Sequence, residues 1–166
     1  GRGGDGDAHC ADPGNGTANG NVTINGVFNS EGGANNPTKT IQGNTVGTWS
    51  ANGTSQMNGL RVSGGTASVT SNTITGLVNA GNAAVNGINL GTGVSLNATS
   101  NTINTLSSAN AGVVGIQIGA ATAATASGNV INTLTSSNAS GTPVGISTQA
   151  TTTTAYKNKI YDLLGT

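Results

Sequence analysis

Charge is scarce in this chain. Asp, Glu, Lys and Arg make up 6% of its 166 residues, and the formal net charge is +0. A chain without a net field does not attract the phosphates of nucleic acid or an anionic membrane surface, so neither partner is expected. Aromatic residues amount to 2%, too few for a groove lined with stacking rings. Cys10 is the only cysteine, so no disulfide can close within the chain, and in an oxidising compartment it is available to pair between chains. His9 stands beside Cys10 with no second His or Cys, so one chain cannot build a closed zinc site. No apolar run approaches the roughly 20 residues of a membrane-spanning helix, and no insertion into a membrane is expected. From Val62 to Tyr156, 95 residues pass without one Asp, Glu, Lys, Arg or His. General acid–base catalysis needs a titratable group within reach of the substrate. The expectation is therefore no enzyme and no cofactor.

What the chain has in plenty is a repeat. Ser71-Asn72-Thr73-Ile74-Thr75-Gly76-Leu77 returns as Ser100-Asn101-Thr102-Ile103-Asn104-Thr105-Leu106 and as Gly128-Asn129-Val130-Ile131-Asn132-Thr133-Leu134. A weaker copy, Gly43-Asn44-Thr45-Val46-Gly47-Thr48-Trp49, precedes them, and Lys157-Asn158-Lys159-Ile160-Tyr161-Asp162-Leu163 follows. The asparagines recur at intervals of 28, 29, 28 and 29 residues. A fixed period of this length marks a repeat architecture, and it argues against the disorder that a polar, glycine-rich composition suggests by itself.

The columns of the repeat define a short strand. Two residues after each asparagine stands Val46, Ile74, Ile103, Ile131 or Ile160. Five residues after it stands Trp49, Leu77, Leu106, Leu134 or Leu163, and three before it Ile41, Val69, Ala98, Ala126 or Ala155. A spacing of two keeps side chains on one face of a strand. The odd offsets to the other two columns therefore require a bend on each side. Trp49, in the leucine column, reads as core.

A second element, Met57-Asn-Gly59-Leu60-Arg-Val62, returns as Val85-Asn-Gly87-Ile88-Asn-Leu90, Val113-Val-Gly115-Ile116-Gln-Ile118 and Pro143-Val-Gly145-Ile146-Ser-Thr148. A third strand fits before each asparagine, as in Gly93-Val94-Ser-Leu96-Asn-Ala98. Nothing sustains a helical period, and Gly, Thr, Asn and Ser are poor helix formers. The fold class expected is all-β: a single-stack right-handed parallel β-helix of about five coils, 28–29 residues and three short strands per coil. It occupies residues 21–166, after an irregular N-terminal segment or inter-subunit arm, 1–20, rich in turn signals such as Pro13-Gly-Asn-Gly16.

The pairing of Asn-x-Ile-x-x-Leu with x-Gly-Ile-x-Leu resembles the right-handed parallel β-helix repeats of secreted bacterial surface proteins, and the architecture resembles the coils of pectate lyases and phage tailspikes. The resemblance covers about Val22 to Thr166. It implies that Asn44, Asn72, Asn101, Asn129 and Asn158 form an internal ladder at a bend. An inward carboxamide can bond both the bend and the amide above it. Enzymes of this architecture rely on clustered acids with Arg, Lys or His. Here the acids are Asp5, Asp7, Asp12, Glu31 and Asp162, none in the central coils.

Few other residues invite a functional reading. Asp5 and Asp7 lie in Gly3-Gly4-Asp5-Gly6-Asp7, a linker by composition and a weak calcium site as the alternative. Arg61, one residue past Leu60, should point to solvent. The sequons at Asn15, Asn21, Asn52, Asn97 and Asn138 are what chance gives in a chain so rich in Asn and Thr. Thr40, Ser68, Thr70, Thr99, Thr125, Ser127 and Thr154 should face outward in ranks, interrupted by Gln42, Asn97 and Tyr156. This face resembles the threonine ladders of ice-binding β-helices, but a glycan or another surface is the occupant expected before ice.

The ends carry more weight. Leu163-Leu164-Gly165-Thr166 follows the last asparagine motif directly, with no amphipathic helix or charged strand to cap the coil. An open coil end is an unpaired edge, and solenoids need caps to stay soluble. Two expectations follow: a fragment of a longer repeat protein, or ends satisfied by copies of itself, end to end, with Cys10, Tyr161, Leu163 and Leu164 as inter-subunit contacts. The leading functional expectation is an extracellular or cell-surface fibre subunit. The alternative is an adhesin segment that binds glycans or a surface.

Overall fold

The computed structural model describes residues 17–18, 23–30, 38–139 and 141–165. After the two-residue β1 (Thr17–Ala18) come five triplets of strands. They are β2 (Ile24–Asn29), β3 (Thr38–Gln42) and β4 (Thr45–Ala51); β5 (Met57–Val62), β6 (Thr66–Thr70) and β7 (Thr73–Asn79); β8 (Val85–Leu90), β9 (Gly93–Thr99) and β10 (Thr102–Ser108). Then follow β11 (Val113–Ile118), β12 (Ala121–Ser127) and β13 (Val130–Ser136), and finally β14 (Pro143–Thr148), β15 (Thr152–Tyr156) and β16 (Lys159–Gly165).

Each strand pairs in parallel with its counterpart one coil away. Sheet A runs β1-β4-β7-β10-β13-β16, sheet B runs β14-β11-β8-β5-β2, and sheet C runs β15-β12-β9-β6-β3. The protein is an all-β solenoid of five coils with three strands each, and no described residue is helical. β1 lies within the segment read as irregular; the remainder of 1–20 is outside the described residues.

The core runs up the axis as stacked columns. Ile74, Ile103 and Ile131 form one and Leu77, Leu106 and Leu134 the next, all fully buried. Leu60/Val62, Ile88/Leu90 and Ile116/Ile118 line sheet B, also buried. Trp49 is only half-buried, packed against the edge of this core.

The odd column offsets have a backbone cause. The residue four after each asparagine is left-handed: Thr48, Gly76, Thr105, Thr133 and Asp162 have φ of 62°, 67°, 55°, 54° and 54°. So is the residue just before each asparagine: Gly43, Ser71, Ser100, Gly128 and Lys157, at 68°, 53°, 56°, 64° and 54°. One such residue reverses the in–out alternation of a strand, which lets Ile103 and Leu106 both face inward. The conformation suits Gly and costs a β-branched residue roughly 1–2 kcal/mol, so three threonines here are held by their surroundings. Part of the hold is visible: Thr105 Oγ1 donates to Asn104 Oδ1 at 3.2 Å and Thr133 Oγ1 to Asn132 Oδ1 at 3.0 Å.

The glycine column of sheet B exists for space. A Cβ on Gly87 would stand 2.6 Å from the Gly115 carbonyl oxygen and 2.7 Å from Ile103 Cγ2. Gly115 is pressed in the same way by Ile131, at 2.6 Å. The isoleucines of sheet A thus fill the room that the glycines of sheet B leave.

Candidate functional site

The asparagine column is continuous. Asn44 N–H and Nδ2 both donate to Asn72 Oδ1 at 2.9 Å. Asn72 donates the same way to Asn101 Oδ1, at 3.0 and 3.1 Å. Asn101 donates to Asn129, at 2.9 and 3.0 Å, and Asn129 to Asn158, at 3.1 and 2.9 Å. Nδ2 also reaches back to the preceding coil: Asn72 to Ile41 O, Asn101 to Val69 O, Asn129 to Ala98 O and Asn158 to Ala126 O, at 2.8–3.0 Å. Asn72, Asn101 and Asn129 are buried, and among the described residues no buried side-chain nitrogen or oxygen lacks a partner.

The ladder is polar. From Asn72 to Asn158 each Oδ1 accepts from the coil before it, and from Asn44 to Asn129 each backbone N–H donates to the coil after it. At the C-terminal end Asn158 N–H therefore has no acceptor among the described residues. At the other end Asn44 Oδ1 accepts from none of them.

The last coil is open in its side chains as well. Ile131 and Leu134 are 0% exposed, whereas Ile160 and Leu163, next in the same columns, are 41% and 37% exposed. Tyr156, Tyr161 and Leu164 are exposed beside them. Five of the eight large exposed hydrophobic side chains among the described residues thus lie on β15 and β16. β14, β15 and β16 each pair on one side only. Lys157 and Lys159 border this face, and Lys159 Nζ sits 5.1 Å from the centre of the Tyr161 ring.

At the N-terminal side Lys39 is buried, its Nζ donating to the carbonyls of Ser63 and, at 3.1 Å, of Gly64. It occupies the inward column continued by Ala67, Leu96, Ala124 and Thr153. Neither this burial nor a second asparagine ladder was legible in the sequence. In that ladder Asn58 Nδ2 donates to Asn25 Oδ1, and Asn86 Nδ2 to Asn58 Oδ1, each at 2.9 Å. Val114 and Val144 take the next places in the column, so the sequence signal breaks off. Arg61 is half-buried, its guanidinium 5.6 Å from the centre of the Phe28 ring.

On sheet C, Thr40, Ser68, Asn97, Thr125 and Thr154 form one rank, and Gln42, Thr70, Thr99, Ser127 and Tyr156 the next. The second rank is less open than a bare hydroxyl face. Thr70 Oγ1 turns along its rank to the next coil, 3.0 Å from Thr99 O and 2.9 Å from Thr99 Oγ1. Ser127 is a correction to the exposed face: it is buried, standing between Thr99 and the bulky Tyr156 in its column. Asp5, Asp7 and Cys10 lie outside the described residues. Among the described residues no three His, Cys, Asp or Glu side chains come together.

No protein-family model, no curated protein and no solved structure matches this chain.

Proposed function

We propose that the protein is a non-enzymatic structural subunit of an extracellular or cell-surface fibre, lengthened by coil-on-coil stacking. The observation that carries this reading is the unbroken stacking: the isoleucine and leucine columns and the asparagine ladder pass through all five coils without a change of register. A coil made of core columns, a polar ladder and parallel strand edges is complementary to another coil of the same kind. Its ligand is backbone and aliphatic side chain, not a small molecule. The reading places the chain beside the β-helix repeats of secreted bacterial surface proteins, whose motif it resembles. The near-absence of charge supports it too, because little electrostatic repulsion opposes association.

An adhesin segment is the second reading, favoured by the uncharged rank Thr40, Ser68, Asn97, Thr125 and Thr154 on sheet C. A glycan is the occupant best suited to such a rank, and an ice lattice a less favoured one.

Negative-stain electron microscopy and sedimentation of the 166-residue chain separate the two readings. Filaments that vanish in Ile160→Asp/Leu163→Asp, with the β circular-dichroism spectrum kept, are the expected result. Isolated particles of one chain's mass at tens of micromolar would overturn the fibre.

A further inference from the structure

We infer that Asn52 is a site of spontaneous covalent modification, where the folded chain converts asparagine to aspartate and isoaspartate through attack by the Gly53 nitrogen. The sequence holds six Asn-Gly pairs, beginning at Asn15, Asn19, Asn25, Asn52, Asn58 and Asn86. Glycine has no Cβ to shield its nitrogen, so by sequence every pair is open to this chemistry. Asn15 and Asn19 lie outside the described residues. The fold sorts the other four. Asn58 and Asn86 stand inside β5 and β8, strands paired on both sides, and both are buried. Their carboxamides are tied into the second ladder. Asn58 Oδ1 accepts from Asn86 Nδ2 at 2.9 Å and from Asn89 Nδ2 at 3.0 Å, and Asn58 Nδ2 donates to Asn25 Oδ1 at 2.9 Å. Asn52 is exposed instead, in the turn between the end of β4 at Ala51 and the start of β5 at Met57. Among the described residues none bonds its carboxamide or the Gly53 N–H.

The step needs water and no other reactant. The Gly53 nitrogen forms a bond to Asn52 Cγ, the Cγ–Nδ2 bond breaks, and the Gly53 proton leaves with Nδ2 as ammonia. Water then opens the resulting five-membered imide at either carbonyl, giving aspartate or isoaspartate. Nothing is oxidised or reduced. A strand paired on both sides keeps its backbone extended and its next nitrogen away from Cγ, whereas a surface turn has the freedom to bring the two together. The product adds one carboxylate to a chain whose net charge is +0. Isoaspartate also routes the main chain through Cγ, which lengthens the turn by one atom. The turn already rests on the next coil: a Cβ on Gly81 would stand 2.8 Å from Asn52 C, with the Gly53 carbonyl oxygen nearer still. Aspartate fits that contact, and isoaspartate has to displace it.

The test is peptide mapping of the full chain after prolonged incubation in mildly alkaline buffer, folded and in urea, against a zero-time sample. Trypsin cuts after Lys39 and Arg61, so one peptide, Thr40–Arg61, carries both Asn52 and Asn58 as an internal comparison. In the folded chain Asn52 should gain one mass unit, with isoaspartate visible on fragmentation, while Asn58 and Asn86 stay unchanged. In urea all three should convert. Asn58 or Asn86 converting as fast as Asn52 in the folded chain would overturn the inference. So would an Asn52 that converts in urea and not in the folded chain, because the turn would then protect it. Gly53→Ala is compatible with the turn, since Gly53 does not have a positive φ, and should slow the folded-chain reaction several-fold. An unchanged rate in that variant would rule out the Gly53 nitrogen as the attacking group.

Discussion

Asn101 Nδ2 and its backbone N–H converge on one atom, Asn129 Oδ1, at 3.0 and 2.9 Å. Asn101 Oδ1 meanwhile takes both donors of Asn72, at 3.0 and 3.1 Å. Asn72, Asn101 and Asn129 each thus serve three coils, their own and one on either side.

Replacing that side chain orphans groups in two neighbours. Asn101→Leu leaves the Asn72 N–H buried without its acceptor and takes from Val69 O the donor Asn101 Nδ2. Each orphan costs about 1–3 kcal/mol, so the variant should lose about 3–5 kcal/mol. Asn104→Leu, on the outer side of the adjoining strand β10, removes acceptors only for the half-buried or exposed hydroxyls of Thr75 and Thr105. It should lose less than about 1 kcal/mol. Urea unfolding of the two variants side by side decides the matter; equal midpoints contradict the internal ladder.

Gly87→Ala should destabilise by about 1–3 kcal/mol, the cost of overpacking a filled interior. The new methyl would meet the Gly115 carbonyl oxygen at 2.6 Å, and backbone cannot move aside as a side-chain tip can. Gly112→Ala is the control, since its Cβ would find only the Thr142 carbonyl oxygen, at 3.6 Å. Thermal unfolding should separate them by several degrees.

The left-handed threonines predict the opposite sign. Thr105 holds φ at 55° where the coil before it has Gly76 at 67°. Thr105→Gly should stabilise the protein by about 0.5–1 kcal/mol, the relief of roughly 1–2 kcal/mol of backbone strain less the entropy that glycine loses. The same substitution at Thr102, an ordinary strand residue in the same β10, should destabilise. Chemical denaturation of both variants gives the two signs.

Those residues also mark where sequence reading stops. The spacing of Asn72, Asn101 and Asn129 made the coil legible, because a stack repeats every inward side chain at the coil length. The need for a bend was legible too, from the odd offset between Ile103 and Leu106. Its position was not. Thr105 and Thr133 are β-branched, and local propensity points away from a left-handed turn there; stacking overrides it. Lys39 was hidden for a similar reason. A lone lysine in an exposed-looking Thr-Lys-Thr run reads as solvated, and only the sheet B–C corner reveals carbonyls for its ammonium to meet. The open end was legible as a sequence of apolar residues. Its polarity required atoms, because donor and acceptor sit on the same kind of residue.

Leucine truncation along one column measures whether that end is covered. Leu134 is fully buried and Leu163 is 37% exposed, in the same inward column one coil apart. In dispersed chains Leu134→Ala should cost about 3–5 kcal/mol and Leu163→Ala nearer 1, because truncation is expensive only where a cavity is left. In assembled material a stacked coil closes over Leu163, and its truncation should then approach the cost of Leu134→Ala. Denaturation of both variants below and above the assembly concentration tests this. If the gap between them persists in assembled material, the Leu163 face is not the one that stacks.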